Sequence, residues 1–388
     1  MPVEDGPADI GRIGSMQGET GQRGECSLCS GRLTWNFTAP RFPTMFAGST
    51  TADASAPASK ATGAWQQITK DADPFLEAVS ASLRAQVGEF EPHIADYVGF
   101  ALEAQGKQLR PLLVALSAGC FGKPTGEHVK IAVIIEMVHL ATLVHDDIMD
   151  GAEIRRGRPT LAARWGSEIS VLVGDCLFAH ALKLASEFPT TQVCRAVSIA
   201  TNTVCAGEIL QTQKRRDFTV TRTEYFKMLA MKTGELFGLA CDLGGHVGGA
   251  TASQQAALRQ YGMALGTAYQ VYDDCVDLFS TEGVAGKSLG TDLAKGKLTL
   301  PVFVALERSS DIEAADLQKQ LLGWKPEMFA GVLSLAKRHK VSGECRKVID
   351  AFVLEADRAL QSLPPSPGRA GLEHLGIFLS EQTSRLIG

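Results

Sequence analysis

The sequence carries the same acidic pattern twice, each time within a segment that is otherwise apolar. The first copy is Asp146-Asp147-Ile148-Met149-Asp150 and the second is Asp273-Asp274-Cys275-Val276-Asp277. Residues four apart lie on one face of a helix, so each copy projects two carboxylates to the same side. Like charges placed this way repel one another. The double pattern therefore predicts two helices that use their carboxylates to hold a divalent metal.

Helical periodicity extends through most of the chain. From about Trp65 onward, apolar residues recur at intervals of three and four, and alternating stretches are few. One helix is predicted over 129–150, and Gly151 ends it. The same pattern predicts further helices at 74–91, 93–104, 108–120, 168–186, 189–213, 222–247, 253–280, 297–308 and 312–322, with more in 325–362 and 371–387. We therefore expect a single-domain, all-α helical bundle with a central cavity over residues 67–388.

The first 66 residues differ from the rest in composition. They are rich in Gly, Ser, Thr, Ala and Pro without sustained periodicity, which predicts a disordered extension, and Met16 and Met45 leave open a mis-assigned start. Cys26 and Cys29 form one lone pair with no second pair at zinc-finger spacing. A zinc site is therefore not expected there.

Charge and cysteine content exclude several classes of protein. The net charge of −5 argues against nucleic acid as a partner, which usually requires a basic excess. No run of 18 or more apolar residues occurs, so no membrane span is expected. The nine cysteines are an odd number and several lie within apolar helical patterns. These features predict a reducing, cytoplasmic location.

The type of ligand indicates which metal to expect. Mg²⁺ prefers oxygen ligands and is commonly held by one or two carboxylates together with the phosphates of a substrate. The two patterns contain no histidine, and they suit this ion better than zinc or copper. Basic residues that follow or flank the acidic segments would complete a phosphate site: Lys107, Arg110, Arg155, Arg156, Lys232, Lys287 and Lys297.

Each feature also has a plain structural interpretation. A single Asp-Asp-x-x-Asp on a helix is more often a solvated face than a site, and only the second copy reverses that judgement. His139 alone would be a core histidine, but it lies two turns before Asp146 and near the same face. Thr233 and Gln270 are ordinary helix residues except for their positions beside Lys232 and Asp273.

Seven segments together resemble the trans-isoprenyl diphosphate synthases, and they occur in that family's order between about 100 and 301. The resemblance implies an all-α isoprenoid-synthase fold, a homodimer, and a cavity between the two acidic helices. The segments are Gly106-Lys107-Gln108-Leu109-Arg110-Pro111, 136–147, Arg155-Arg156-Gly157, Gly207-Glu208-Ile209-Leu210-Gln211, Lys232-Thr233-Gly234, 269–274 and 286–301.

The resemblance also implies roles for individual residues. Three Mg²⁺ ions would bind the diphosphate of an allylic substrate through the six aspartates Asp146, Asp147, Asp150, Asp273, Asp274 and Asp277. Further contacts to that substrate would come from Arg155, Lys232, Thr233, Gln270, Lys287 and Lys297. Isopentenyl diphosphate would bind to Lys107, Arg110, His139 and Arg156. We take Asp146, Asp147, Asp150, Asp273 and Lys232 as the catalytic set. Gln108 departs from the family, in which many members have a basic residue.

The expected reaction needs no side-chain nucleophile. Metal and basic groups stabilise the diphosphate as it leaves, the isopentenyl double bond attacks the allylic cation, and proton loss restores a double bond. The positions four and five before the first motif, which limit product length in the family, are Thr142 and Ala141. Small residues there leave the tunnel open, which predicts a medium- or long-chain all-trans product. Deeper candidates for the tunnel floor are Ile134, Met137, Val138, Val171 and Leu172.

Three alternatives remain open at this point. A short-chain synthase making farnesyl or geranylgeranyl diphosphate would have its floor set by another helix. A terpene cyclase also uses an aspartate-rich helix, but it does not need the second acidic motif or the set of Lys107, Arg110 and His139. A regulatory subunit of a heteromeric synthase is expected to lose acidic ligands, and all six are present here.

Overall fold

The computed structural model describes residues 59–103, 106–281 and 289–387, with side chains from Lys70 onward. The described part is built almost wholly of helices, which confirms the all-α prediction. The α-helices, in chain order, are α1 (Ser59–Gln86), α2 (Pro92–Glu103), α3 (Leu109–Ala118), α4 (Gly126–Met149), α5 (Leu161–Trp165), α6 (Ser167–Ser186), α7 (Thr191–Gln213), α8 (Arg222–Leu229), α9 (Glu235–Val247), α10 (Ala252–Phe279), α11 (Thr291–Ala294), α12 (Leu300–Arg308), α13 (Asp311–Leu322), α14 (Phe329–Arg338), α15 (Val341–Leu360) and α16 (Pro367–Ile387).

Helix α4 lies at the centre of the bundle. Every residue from Ile131 to Val138 is buried, so this stretch is enclosed on all sides. Helix α4 packs mainly against α6, α3 and α9, while α10 packs against α9 and α15. Its first turn is fixed by a capping box in which His128 Nδ1 accepts from the backbone N–H of Thr125 at 3.0 Å. The two helices that carry the acidic motifs are therefore rigid parts of the core.

A short antiparallel hairpin follows α4. Strands β1 (Ile154–Arg155) and β2 (Arg158–Pro159) pair directly, with Arg155 opposite Arg158. The two turn residues, Arg156 and Gly157, have φ of +52° and +74°, as a two-residue hairpin requires. The sequence pattern predicts only a basic loop here. The glycine permits a tight turn that projects the basic side chains back toward α4.

Most helix bounds agree with the predicted ones, and the differences have local causes. Helix α1 begins at Ser59, before the predicted domain start at residue 67, and it contains Pro74. The predicted helix 222–247 is three elements, because a π-helical turn at Ala230–Gly234 separates α8 from α9. The predicted helix 297–308 begins only at Leu300. Residues 1–58, with the predicted disorder and the Cys26–Cys29 pair, lie outside the described residues.

Two helices bear on the prediction that the chain does not span a membrane. Among the described residues, α6 and α7 are long and apolar enough to cross one, with 44% and 28% of their most apolar windows buried. Helix α6 packs on α4, and α7 packs on α6 and α9. Because core helices of a bundle pass the same test, the finding is weak support for a span, and the predicted absence stays a prediction.

Candidate active site

The first acidic motif lies at the C-terminal end of α4, with Asp150 as the C-cap residue. The side chains of Asp146, Asp147 and Asp150 are only 17%, 9% and 10% exposed. The C-terminal end of a helix carries partial negative charge, so carboxylates there destabilise the helix rather than support it. The second motif occupies the corresponding end of α10. Two such placements indicate a function for the carboxylates instead of a role in helix stability.

Each carboxylate of the first motif has a cationic partner. Arg155 donates to Asp147 from Nε at 2.7 Å, and Lys232 Nζ lies 3.4 Å from Asp146 Oδ2. Asp150 has three partners: Lys295 Nζ at 2.8 Å, Arg215 Nη2 at 3.1 Å and Lys297 Nζ at 3.5 Å. The structure thus gathers predicted basic residues around this motif and adds two that were not predicted, Arg215 and Lys295.

Two carboxylates of the second motif, Asp274 and Asp277, accept hydrogen bonds from neutral donors. Asp274 accepts from Tyr225 Oη at 2.6 Å and from Gln270 Nε2 at 3.0 Å. Asp277 accepts from Thr291 Oγ1 at 2.8 Å and from the backbone N–H of Asp292 at 3.1 Å. Asp274 and Asp277 are buried, whereas Asp273 is half-buried. Of the three, Asp273 is therefore the carboxylate with the most access to solvent.

Two bridges connect the motifs across the cleft. Lys297 lies between Asp150 and Asp292, 3.5 Å and 3.7 Å away, and the backbone N–H of Asp292 donates to Asp277. On the other side, Lys232 contacts Asp146, while the adjacent Thr233 donates to Gln270 Oε1 at 2.8 Å. Gln270 in turn donates to Asp274. The two acidic helix ends therefore flank one polar cleft, and neither is turned away into bulk solvent.

Lys232 projects from the π-helical turn at Ala230–Gly234, a rare element that often occurs at functional sites. Its ammonium contacts Glu208 and donates to Gln211 Oε1 at 3.2 Å in addition to its contact with Asp146. Burial opposes the charge of Lys232, but Asp146 and Glu208 outweigh it and raise the pKa of the ammonium. Lys232 is therefore a fixed cation at the mouth of the first motif.

A small cavity of about 50 Å³ lies where the two bridges converge. Its walls include Lys232, Lys297, Gln270, Asp274 and Asp292. Both signs of charge line the cavity. The cations include Lys232, from the π-helical turn before α9, and Lys297, from the segment before α12. The carboxylates are Asp274 on α10 and Asp292 on α11. This arrangement fits an anion that is bound together with metal.

Burial and the nearby Asp292 carboxylate raise the pKa of Asp274 to about 8, although its bonds from Tyr225 and Gln270 oppose the shift. The folded chain then holds a proton here that the unfolded chain loses near pH 4, so this group lowers stability as pH rises from about 4 to about 8. We expect Asp274→Asn to reduce the slope of unfolding free energy against pH. The reduction is at most that for one bound proton, about 1.4 kcal/mol per pH unit. Melting temperatures in metal-free buffers from pH 5 to pH 8 test this, and parallel curves for the two proteins would refute it.

A second basic cluster lies apart from the metal-binding motifs. Arg110 on α3 packs its guanidinium over the Phe237 ring at 5.1 Å, and its Nε is buried without a hydrogen-bond partner. Burial lowers the pKa of Arg110, Glu136 partly offsets this, and Arg156 lowers it further. Burial also lowers the pKa of His139 far below its usual value, with Arg110 and Arg156 acting in the same direction. This excess of positive charge, with unused donor capacity, fits a second anion.

Lys107, the lysine of the predicted second pocket, and its neighbour Gln108 precede Arg110 in the sequence. Lys107 is exposed, just before Arg110. Gln108, the departure from the family pattern, has φ of +49° and donates from Nε2 to Ser80 Oγ on α1 at 2.8 Å. Its amide therefore connects two helices. Among the other predicted substrate residues, Lys287 lies outside the described residues.

The predicted chain-length residues differ in their surroundings. Ala141 is 0% exposed, whereas Thr142 is half-buried and donates from Oγ1 to the carbonyl of His139 at 2.7 Å. The deeper floor candidates Ile134, Met137 and Val138 are buried. Val171 and Leu172, by contrast, are 42% and 59% exposed, so they lie outside the closely packed interior around α4.

Sequence reasoning missed several residues that the structure brings to the cleft. Arg215 follows the end of α7 in a run of three basic residues, and Lys295 stands two positions before Lys297. Glu208 belongs to a segment noted for its resemblance but was assigned no role. The basic run and the second lysine were visible signals. Tyr225 and Thr291 had none, because only tertiary packing brings them to Asp274 and Asp277.

The oxygen donors of the cleft suit magnesium. Within the ranges that have assigned positions, no cluster of three or more potential metal-ligating side chains is already assembled. The aspartates are instead spread over two helix ends and paired with cations or hydrogen-bond donors. Their ligand atoms are all carboxylate oxygens, and Glu208, which pairs with Lys232, adds a further carboxylate beside the first motif. Hard oxygen donors that face a phosphate-sized cleft fit Mg²⁺.

Comparisons with known proteins agree with this geometry. A family model described as polyprenyl synthetase matches residues 91–330. An octaprenyl diphosphate synthase from Haemophilus influenzae is 33% identical over 310 residues, which cover 76% of this chain and 94% of that protein. A short chain isoprenyl diphosphate synthase from Methanothermobacter thermautotrophicus is 33% identical over 313 residues, covering 79% and 96%. The crystal structure of a decaprenyl diphosphate synthase from Rhodobacter capsulatus is similar with a TM-score of 0.76 at 32% identity, covering 82% of this chain and 99% of that one.

Proposed function

The chain belongs to the polyprenyl synthetase family and is a prenyltransferase, and we propose that it condenses isopentenyl diphosphate with an allylic diphosphate in a Mg²⁺-dependent reaction. The product is a medium- or long-chain all-trans polyprenyl diphosphate. The observation that carries this proposal is a pair of basic clusters of different character. One lies between two acidic helix ends, and the other surrounds Arg110, apart from the acidic motifs.

The six aspartates would hold magnesium, three ions in this proposal, with Asp146, Asp147 and Asp150 on one side of the cleft. Asp273, Asp274 and Asp277 stand on the other side, where ligation by the last two requires exchange of their present hydrogen bonds. When bound, the ions supply positive charge that stabilises the departing diphosphate and orients it.

The basic and polar residues of the cleft bind the same diphosphate. In this proposal the contacts come from Arg155, Lys232, Thr233, Gln270, Lys287 and Lys297. As the C–O bond of the allylic substrate breaks, their donors take up the charge that develops on the leaving oxygen. Because Lys232, Thr233 and Lys297 are already held by ion pairs and hydrogen bonds within the protein, they need little reorganisation.

The second cluster binds isopentenyl diphosphate through Lys107, Arg110, His139 and Arg156. This places the isopentenyl double bond beside the allylic cation, where it forms the new C–C bond. Loss of a proton from the adjacent carbon then restores a double bond, and the departed diphosphate accepts that proton. The buried apolar interior around α4 excludes water, which protects the cation from hydrolysis.

The relatives include an octaprenyl diphosphate synthase and a short chain isoprenyl diphosphate synthase. The product length of this chain is therefore tested by mutation. Thr142 is half-buried and Ala141 fully buried beneath the first motif, and a larger side chain at either position would fill the space below the growing chain. We expect Thr142→Phe and Ala141→Phe to shorten the product. Phenylalanine at the closely packed position 141 also costs about 1–3 kcal/mol of stability.

The measurement is chromatography of the dephosphorylated products, with melting temperatures recorded beside it. Thr142→Ser, which keeps the side chain small and retains its hydroxyl, serves as the control. An unchanged product profile in a folded Thr142→Phe variant would contradict the position of the tunnel.

We further propose a cytoplasmic homodimer with no nucleic-acid partner and no membrane span. Apolar side chains that remain exposed on α6 and α7 support the dimer, because Val171, Leu172, Ile199 and Ile209 are 42–60% exposed. A monomeric mass by light scattering would count against it.

Incubating the purified chain with Mg²⁺, labelled isopentenyl diphosphate and an allylic diphosphate tests the function. We expect labelled polyprenyl diphosphate and released diphosphate. A chain that is inactive alone but active with a second subunit would instead be one component of a heteromer.

A further inference from the structure

Asp150 is surrounded by more positive charge than the other two aspartates of its motif. Asp146 pairs with Lys232 and Asp147 with Arg155, whereas Asp150 has Arg215, Lys295 and Lys297 within 3.5 Å. Burial alone would raise the pKa of Asp150, but Lys297 and Lys295 outweigh it and lower it. Three cations therefore cluster around Asp150, and one of them, Lys297, is shared with Asp292.

The cations are held in place by the backbone. The N–H of Arg216 donates to the carbonyl of Gly296 at 2.8 Å, which joins the turn after α7 to the segment that carries Lys295 and Lys297. Gly296 has φ of +71°, and a Cβ there would lie 2.5 Å from Arg216 Cγ. Only glycine permits this close approach. The two basic segments therefore form one preorganised unit.

The unit has hydrogen-bonding capacity that Asp150 does not use. Arg215 donates from Nη2, but its Nε is buried without a partner. The side chains of Arg215 and Lys295 are only 23% and 27% exposed, so solvent satisfies them poorly. A buried unsatisfied donor next to clustered cations is typical of a site for a polyvalent anion.

We propose that Lys295 and Arg215 are exchangeable counter-cations, which neutralise Asp150 before metal binds and transfer to the diphosphate once metal takes the carboxylate. This inference rests on the proposed function. It adds two residues to the diphosphate site. It also requires Lys295 to oppose metal binding in the absence of diphosphate and to favour diphosphate binding once metal is present.

A charge series at position 295 tests the proposal. In Lys295→Gln, calorimetric titration with Mg²⁺ alone should show about fivefold to tenfold tighter binding, and Lys295→Glu should tighten it further, because a competing positive charge is removed or reversed. With Mg²⁺ saturating, inorganic diphosphate should bind about fivefold to tenfold more weakly to both variants. Lys130→Gln is the matched control, since Lys130 forms a 2.8 Å ion pair with Glu187 away from the cleft.

The opposite signs of the two effects distinguish this role from a structural one, which would weaken both. Unchanged or weaker Mg²⁺ binding in both Lys295 variants would overturn the proposal. If the wild-type chain makes polyprenyl diphosphate while Lys295→Gln binds both ligands as Lys130→Gln does, only this inference fails. A wild-type chain that neither binds Mg²⁺ nor condenses the substrates would remove the proposed function as well.

Discussion

Replacing Asp146 with asparagine is expected to lower kcat by about 1,000-fold, a loss at the upper end of that for one group that stabilises charge in a transition state. Asparagine has nearly the same shape, so the change removes charge rather than packing. Asp146 is 17% exposed and contacts Lys232, which would lose one of its two acidic partners. Steady-state kinetics over a range of Mg²⁺ concentrations measures the effect, and the half-saturating concentration of metal should rise together with the loss in kcat.

Asp350→Asn is the matched control, because Asp350 is 45% exposed and pairs only weakly, at 3.6 Å, with Arg346 on α15. Its activity should equal that of the wild-type chain. A fall of less than about tenfold in Asp146→Asn would contradict a role for the first motif in holding metal.

The second large effect is expected at Arg110. We predict that Arg110→Met raises the KM for isopentenyl diphosphate by at least about 100-fold, because a charged partner of a bound anion is worth about 2–5 kcal/mol. The KM for the allylic substrate should change little. Arg110 is half-buried, its Nε is buried without a partner, and burial lowers the pKa of its guanidinium, so the free protein holds this charge at a cost. Buried Glu136 loses the charge of Arg110 but keeps that of Arg156, so the melting temperature of Arg110→Met should change little.

Arg259→Met provides the contrast. Arg259 donates to Glu235 at 2.6 Å, and Glu235 is 1% exposed, so removing the arginine leaves a buried carboxylate unpaired. This variant should lose stability, by about 3–5 kcal/mol, while both KM values stay near those of the wild type. If Arg110→Met instead lost stability with no change in KM, its role would be structural.

The sequence predicted the elements that depend on local pattern. The period of apolar residues predicted the helices, and the double acidic motif predicted two carboxylate-bearing helix ends beside basic residues. It did not predict the π turn that projects Lys232, because such a turn differs from α-helix only in which carbonyl each N–H contacts. The hairpin that carries Arg155 is equally invisible to helical periodicity, since its strands have two residues each.

The partners of the individual carboxylates could not be predicted from the sequence, for a different reason. The spacing of Asp273, Asp274 and Asp277 treats the three as equivalent, but tertiary contacts separate them. Tyr225 on α8 and Thr291 on α11 engage two of these carboxylates and leave Asp273 as the more accessible one. Which cation meets which carboxylate likewise depends on how the turn after α7 meets Gly296.

The central claim is that both acidic helix ends hold metal on one shared diphosphate. Counting bound Mn²⁺ by electron paramagnetic resonance, with a non-hydrolysable allylic diphosphate analogue present, tests it most directly. We predict three ions per chain with the analogue, fewer without it, and a loss of bound ions in both Asp146→Asn and Asp273→Asn. A count that does not depend on the analogue, or that Asp273→Asn leaves unchanged, would contradict the claim.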